Sequence, residues 1–454
     1  MHIHALRGRM KVAFFLDNKN LSQVDFSAPE QGNPGTGAGT YLHAALPHYL
    51  NKNFSSQIET VLLAPHIEKL PPNVPAYQVS SVISAATKAK EIGADFFVFR
   101  PRLDEENGIL DHIDAIQMPS IGRAALTPHA EHLRKMIKCK YLKALVCVGR
   151  EQYDYMIDSR IKPKLAYIDN GISLASCEEG MDKTAGKDPR LVVYMGALVP
   201  MKGFHVLAQA WPKVLAKFPD AKLSVIGSVK IYGEDEQVGP LGVAHDKYER
   251  ESIIPYLCDP QGNLNPSVTF HGSMGKEKYD LLAKAIVGIA NPTGITETCC
   301  VSAVEMSGCK TAVVSGAYYA LLDTVIHGKT GLLGRGVDDL ADNICKCLES
   351  PELAKKLGQA GYERVLEQYD FSVVIPKWVE LFSRLQEGKV PTAPGNLRNI
   401  FYHYKSIRLL NYALQQTLGR LIPWPSIFEM QVFIHGFLRR FESFIMQEKK
   451  AGHR

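Results

Sequence analysis

Short apolar runs rich in Val, Ile and Phe recur through most of the chain, each followed by a stretch whose apolar residues return every third or fourth position. Continuous apolar runs suit strands buried on both faces, and three-to-four spacing suits helices with one face on a core. Their alternation predicts βα units and a parallel sheet. Strands are expected at residues 11–16, 57–64, 96–99, 124–127, 144–148 and 165–168, with a helix over 41–50. The polar stretch 176–189 lacks a period and predicts a linker. The pattern then restarts, with strands at 191–195, 222–226, 267–270, 286–290 and 311–314 and helices at 203–218, 275–284 and 301–307. The expected architecture is α/β: two doubly wound domains, residues 1–178 and 188–370, facing a cleft, with 371–454 as an appendage. Ligands in such folds lie at the carboxyl ends of the strands.

A chain of 454 residues exceeds one ordinary core, and 46% hydrophobic with 22% charged residues excludes disorder and collagen-like repeats. Charge changes the picture at one end. After Pro391 nine Lys and Arg stand against three Glu, so the tail carries +6 while the whole chain carries +5, and the rest is close to neutral at −1. This argues for an anionic surface near the C-terminus, a membrane headgroup layer or an acidic partner, and against nucleic acid. The nine cysteines are odd in number, lack a C-x-x-C pair and mostly sit in apolar stretches, as reduced thiols do. Cys345 and Cys347 have no second ligand pair at zinc spacing, so they read as core. The apolar segment 12–16 is too short for a signal peptide, residues 1–9 read as an extension, and there is no membrane-spanning run. The expected compartment is the cytoplasm.

Two blocks carry candidate chemistry. The first runs Asn291-Pro-Thr-Gly-Ile-Thr-Glu297-Thr-Cys-Cys-Val-Ser-Ala-Val-Glu305. It sets Glu297 on a loop after a strand and Glu305 in the helix that follows. A carboxylate on the loop can accept hydrogen bonds from vicinal sugar hydroxyls, and one two turns along can reach a ribose. The helix N-terminus between them, at Thr298, Cys299, Cys300 and Val301, offers N–H groups and a positive dipole end to a diphosphate. The second block is Val193-Tyr-Met-Gly196-Ala-Leu-Val-Pro-Met-Lys202-Gly-Phe. There a strand ends in Gly196 and Lys202 stands before a helix, placed to neutralise phosphate charge.

With these residues the chain resembles the retaining family 4 glycosyltransferases of GT-B fold, from Met10 to about Arg384. The resemblance implies two Rossmann-like domains and an E-x7-E pair in which Glu297 contacts donor sugar hydroxyls and Glu305 holds the ribose. It implies phosphate binding by Lys202, base recognition by backbone near Met274, and a paired-glycine loop at Gly37 and Ala38. His129, in Thr127-Pro-His129, matches a family histidine that reaches the donor sugar. Asn170-Gly171-Ile172 and the turn at His327-Gly-Lys-Thr-Gly-Leu match structural turns of the family. Two positions depart from its pattern: Ala197 replaces an Arg and Cys300 a small Gly. A dinucleotide fingerprint at Gly35–Gly39 is disfavoured because a long segment separates it from the strand ending near Leu16.

The implied activity is transfer of a hexose-type sugar, with retention, from a UDP- or GDP-sugar to a glycan or lipid-linked acceptor in polysaccharide or lipopolysaccharide biosynthesis. Lys202, Glu297 and His129 are the catalytic candidates, and neither metal nor cofactor is expected. The alternative is a non-catalytic nucleotide-sugar or carbohydrate binder on the same fold. A phosphorylase or epimerase is a further class, although no pyridoxal-phosphate lysine site is found. The resemblance also implies a helix near 371–385, with Trp378, that crosses back to brace the first domain. Beyond it, Met430, Phe433, Phe437, Phe441 and Phe444 recur at helical spacing and predict an amphipathic arm. That arm either packs on protein or lies on an anionic membrane surface.

Overall fold

The computed structural model describes residues 9–101, 108–128, 130–229, 237–295, 297–395, 399, 402–418, 425–431 and 434. The first half is a seven-stranded parallel sheet of β1 (Met10–Phe15), β2 (Ile58–Ala64), β3 (Ala76–Gln78), β4 (Phe96–Phe99), β5 (Ser120–Ala124), β6 (Leu142–Cys147) and β7 (Leu165–Tyr167). Their order across the sheet is β3-β2-β1-β4-β5-β6-β7. The second half is a six-stranded parallel sheet of β8 (Asp188–Met195), β9 (Lys222–Ile226), β10 (Val268–Gly272), β11 (Ala285–Ala290), β12 (Ala312–Gly316) and β13 (Gly331–Gly334), ordered β10-β9-β8-β11-β12-β13. β11, Ala-Ile-Val-Gly-Ile-Ala, is buried throughout, as a central strand covered on both faces must be. It pairs Val287 with Val192 and Ile289 with Tyr194 of β8.

Strand order reverses between β1 and β4 and again between β8 and β11. At such a point successive connections leave to opposite faces and a crevice opens outside the carboxyl ends. The loops after β8 and β11 carry the two candidate blocks, so the topology brings them side by side.

Apolar side chains fill both faces of each sheet. The helix Phe371–Gln386 returns to the first sheet, where Trp378 lies 6.5 Å from Phe14 and 5.7 Å from Phe382 between ring centroids. The crossing is tied by backbone bonds, Ile172 N–H to the Tyr369 carbonyl at 2.9 Å and Phe371 N–H to the Ile172 carbonyl at 3.1 Å.

Two local expectations need correction. The stretch 176–189 is not a coil: the helix Leu174–Asp182 occupies its first half and β8 begins at Asp188. Leu174 and Cys177 supply a buried stripe in the second sheet's core, while Glu179 pairs with Lys183 at 2.8 Å in solvent. The strand expected at 124–127 lies at Ser120–Ala124 instead, because buried Ser120 and Arg123 interrupt its apolar pattern. In the arm, the described helix is Lys405–Thr417, and of the stripe from Met430 onward only Met430 is described. Phe433, Phe437, Phe441 and Phe444 lie outside the described residues.

Candidate functional site

The cleft is built from loops that each halt a buried strand or open a helix. In the first half the Asn33 side chain folds the glycine loop on itself: its Oδ1 accepts from Gly35 N–H at 3.1 Å and Thr36 N–H at 2.9 Å, and its Nδ2 donates to the Thr36 carbonyl at 2.8 Å. Gly35 has φ +94°, and a Cβ there would come within 3.0 Å of the Met274 carbonyl of the other half. Glycine therefore permits both the turn and the close approach. Gly37 precedes the helix Ala38–Phe54 with open space where a side chain would stand.

In the second half β8 runs into Gly196 and Ala197, then a short 3-10 turn, Pro200–Lys202. Gly203 follows at φ +71°, where a Cβ would stand 2.8 Å from Thr293 N. This turn aims Lys202 across at the loop after β11. Its Nζ forms an ion pair with Glu297 Oε1, and Asn291 Nδ2 donates to the same oxygen at 2.8 Å. Asn291 is held in turn, its Oδ1 accepting from Gly294 N–H at 3.0 Å and Thr293 Oγ1 at 2.8 Å. The Glu297 carboxylate is thus fixed from two sides.

Glu305 lies on the helix Val301–Gly308 and is buried. Its Oε1 accepts from Lys278 Nζ at 2.7 Å and from Tyr279 Oη at 2.8 Å. Lys278 Nζ also donates to the Asn33 carbonyl at 3.2 Å, so one ammonium bridges the glutamate to the first half's glycine loop.

These groups line one open cleft of about 160 Å³. Gly37, Gly196, Lys202, Met274, Glu297, Cys299, Cys300, Val301 and Glu305 all border it. Thr298 does not: its hydroxyl donates to the Ala125 carbonyl at 2.7 Å, pinning the loop to the first half. His129 lies outside the described residues. Burial pushes the Cys300 thiol up to about 12, with the Glu297 charge adding to it, and holds Cys299 well above its ordinary value. Both stay protonated thiols and act as packing. Cys345 and Cys347 are buried in the second core.

Sequence reasoning missed Lys278, Tyr279, Asn33 and Asn291. Of these, Asn291 alone left a usable signal, a polar residue directly at the end of a fully apolar strand. Chemically, the cleft offers two carboxylates to hydroxyls and two ammonium groups to anions. That combination suits a ligand bearing both polyols and phosphate.

Residues 178–364 match the family described as Glycosyl transferases group 1. Over 210 residues the chain is 22% identical to the capsular polysaccharide biosynthesis glycosyltransferase CapM of Staphylococcus aureus, covering 44% of this chain and 49% of that one. Over 206 residues it is 27% identical to a GDP-mannose-dependent alpha-(1-6)-phosphatidylinositol monomannoside mannosyltransferase of Mycolicibacterium smegmatis, covering 44% and 50%. It therefore spans about half the length of these relatives. A glycosyltransferase structure from Rickettsia africae superposes with a TM-score of 0.63 at 13% identity, over 84% of this chain and 100% of that one. Two doubly wound sheets facing a cleft make this a GT-B fold, and its residues 178–364 are similar to the Glycosyl transferases group 1 domain.

Proposed function

We propose that the chain is a retaining glycosyltransferase moving a hexose-type sugar from a UDP- or GDP-sugar to a glycan or lipid-linked acceptor, in polysaccharide or lipopolysaccharide assembly. One observation carries the reading: the Lys202–Glu297 and Lys278–Glu305 pairs, from separate sequence blocks, border a single cleft against the first half's glycine loop. The names of the two relatives, one GDP-mannose-dependent and one capsular, support the donor type and the pathway.

In this reading the nucleotide sits on the second half. Glu305 accepts from the ribose hydroxyls, backbone near Met274 meets the base, and Glu297 accepts from the sugar hydroxyls. Lys202 and the N–H groups opening the helix Val301–Gly308 stabilise charge as it grows on the diphosphate. The acceptor enters from the first half, where His129 is assigned to the donor sugar from the sequence. The sugar–phosphate bond breaks, the acceptor oxygen bonds to the same face of C1, and the acceptor proton passes to the departing phosphate oxygen. Neither a protein base nor a metal is required. In this reading the halves close over the bound donor and exclude water.

The test is purified protein incubated with UDP-, GDP- and ADP-sugars, scoring sugar release and transfer. One or more donors should turn over, and Glu297→Ala should abolish most of it. Donor binding with no turnover by the wild type would point to the non-catalytic binder, which the Ala197 and Cys300 departures favour.

A further inference from the structure

The two helices that furnish Lys278, Tyr279 and Glu305, Lys278–Lys284 and Val301–Gly308, are tied together at two levels. The first borders the cleft, where Glu305 Oε1 accepts from Lys278 Nζ and Tyr279 Oη. The second lies four residues on in each helix, at Leu282 and Cys309, one turn or about 6 Å deeper. There the backbone carbonyls are the acceptors, and other segments supply the donors. Lys187 Nζ donates to the Cys309 carbonyl at 2.9 Å and to Thr311 Oγ1 at 2.7 Å, and it reaches the Leu282 carbonyl at 3.5 Å. Thr311 is fully buried and passes the tie on, its hydroxyl donating to the Leu282 carbonyl at 2.6 Å.

Carbonyls at the end of a helix lack partners within it and carry the negative end of its dipole, so one ammonium between two such ends satisfies both. Among the described residues, no carboxylate pairs with Lys187. Burial pulls its ammonium down to about 7, Cys309 opposing the fall and the Lys310 charge adding to it. The cation therefore holds its place by the directions of its bonds and not by a charge pair. Lys187 also belongs to the segment that joins the two halves, and that segment touches the same helices one turn nearer the cleft. Cys177 Sγ donates to the Glu305 carbonyl at 3.8 Å, and a Cβ on Gly180 would stand 2.7 Å from the Tyr279 carbonyl carbon.

We infer that Lys187 is a positioning residue of the cleft: carried by the segment between the halves, it sets the distance of Glu305 from Lys278 and Tyr279, and with it the fit of a ribose. The consequence for the ribose rests on the donor site proposed above. Without the deeper tie the two helices pivot on the Lys278–Glu305 bond, and the carboxylate loses its aim.

The experiment uses the full chain and two variants. Lys187→Met keeps an unbranched chain without donors, and Thr311→Val keeps the shape of the side chain without its hydroxyl. In Lys187→Met, amide hydrogen exchange should quicken at least about fivefold within residues 278–284 and 301–309, and stay as in wild type in the helix Phe204–Lys217 of the same half. With whichever UDP-, GDP- or ADP-sugar the wild type uses, the donor KM should rise at least about fivefold while kcat stays within about threefold. Thr311→Val should show the same pattern more weakly, because Lys187 still holds the Cys309 carbonyl. Either readout equal to wild type in Lys187→Met overturns the inference. So does faster exchange spread evenly through the second half, which would make Lys187 general scaffolding, and so does a loss of kcat at constant KM. A wild type that turns over no donor and binds neither UDP nor GDP removes the proposed activity, and the exchange pattern then decides alone for or against the positioning role.

Discussion

Two sets of buried lysine–carboxylate and arginine–carboxylate pairs do opposite work. Those on the cleft, Lys202 with Glu297 and Lys278 with Glu305, border open space and draw partners from loops and helix ends. Those under the arm, Lys405 and Arg408 with Glu151, Asp154 and Asp158, are fully enclosed and link a C-terminal helix to the first half. A pair that water or ligand can reach is exchangeable, because either partner can be resolvated or take a new bond. A sealed pair cannot exchange and instead fixes an orientation, here the one that turns Leu409 and Leu410 outward. The position of the pair relative to solvent, not its chemistry, decides between binding and architecture.

Breaking a sealed pair should have the largest effect. Asp158 accepts from Arg408, from Asn411 and, at 2.6 Å, from the Ile427 N–H, all in the arm. Asp158→Ala should weaken arm docking by about 3–5 kcal/mol. Proteolysis should then cut between the helix Phe371–Gln386 and Lys405, while both sheets keep their melting transition. A variant as protease-resistant as wild type would show that the pair does not hold the arm.

The exchangeable pair should answer differently. Glu297→Ala leaves the Lys202 ammonium, 23% exposed, in reach of water, so the melting temperature should barely move. Turnover should fall by roughly 2–4 kcal/mol in activation free energy, the loss expected for one key polar contact to the transition state. Donor turnover at saturation, compared with the melt, separates the two effects. Near-normal turnover removes Glu297 from the chemistry.

The contrast was only half legible in the sequence. Strands 96–99 and 222–226 read correctly because an uninterrupted apolar run has one good explanation in a parallel sheet. Glu297, Glu305 and Lys202 stood out through spacing after strands. Lys278 did not, since Lys-Glu-Lys-Tyr-Asp reads as a solvated helix start, and its burial comes from Asn33, distant in sequence but adjacent in space. The orientation of the arm was hidden for the same reason. A stripe pattern says that a helix has two faces, while the inward one is chosen by Glu151, Asp154 and Asp158, some 250 residues away.

Between the two extremes lies Asp169, at the crossing between the halves. Its carboxyl is raised to about 6 by burial and by the Asp323 charge, against which Lys377 pulls down. The folded state therefore keeps a proton that the unfolded state releases near pH 4. This contribution to stability is full below about pH 4, declines as pH rises through 6 and is gone above it. Two units amount to about 3 kcal/mol at most. Asp169→Asn has no such titration, so denaturant unfolding should show wild type losing ground to the variant between pH 4 and 6.5. A constant difference across that range would mean that the carboxyl titrates at its ordinary value.

The smallest expected effect is also the sharpest test of the comparison. Lys278→Met removes the ammonium from Glu305 but keeps an unbranched chain of similar length to fill the space. Were the pair sealed, the cost would equal that of Asp158→Ala. Because Glu305 borders the cleft and keeps the Tyr279 hydroxyl, it can recruit water, and the loss in stability should be only about 1–2 kcal/mol. The same change removes the bond to the Asn33 carbonyl that joins the halves, and, in the proposed reading, it leaves Glu305 less firmly aimed at the ribose. Both consequences fall on donor binding, so KM for the donor should rise about five- to thirtyfold while kcat stays within about threefold. A stability loss as large as that of the sealed pair would place Glu305 out of reach of solvent, and with it out of reach of a nucleotide. A loss confined to kcat would instead make Lys278 a partner of the reacting phosphate and move the phosphate site toward the first half.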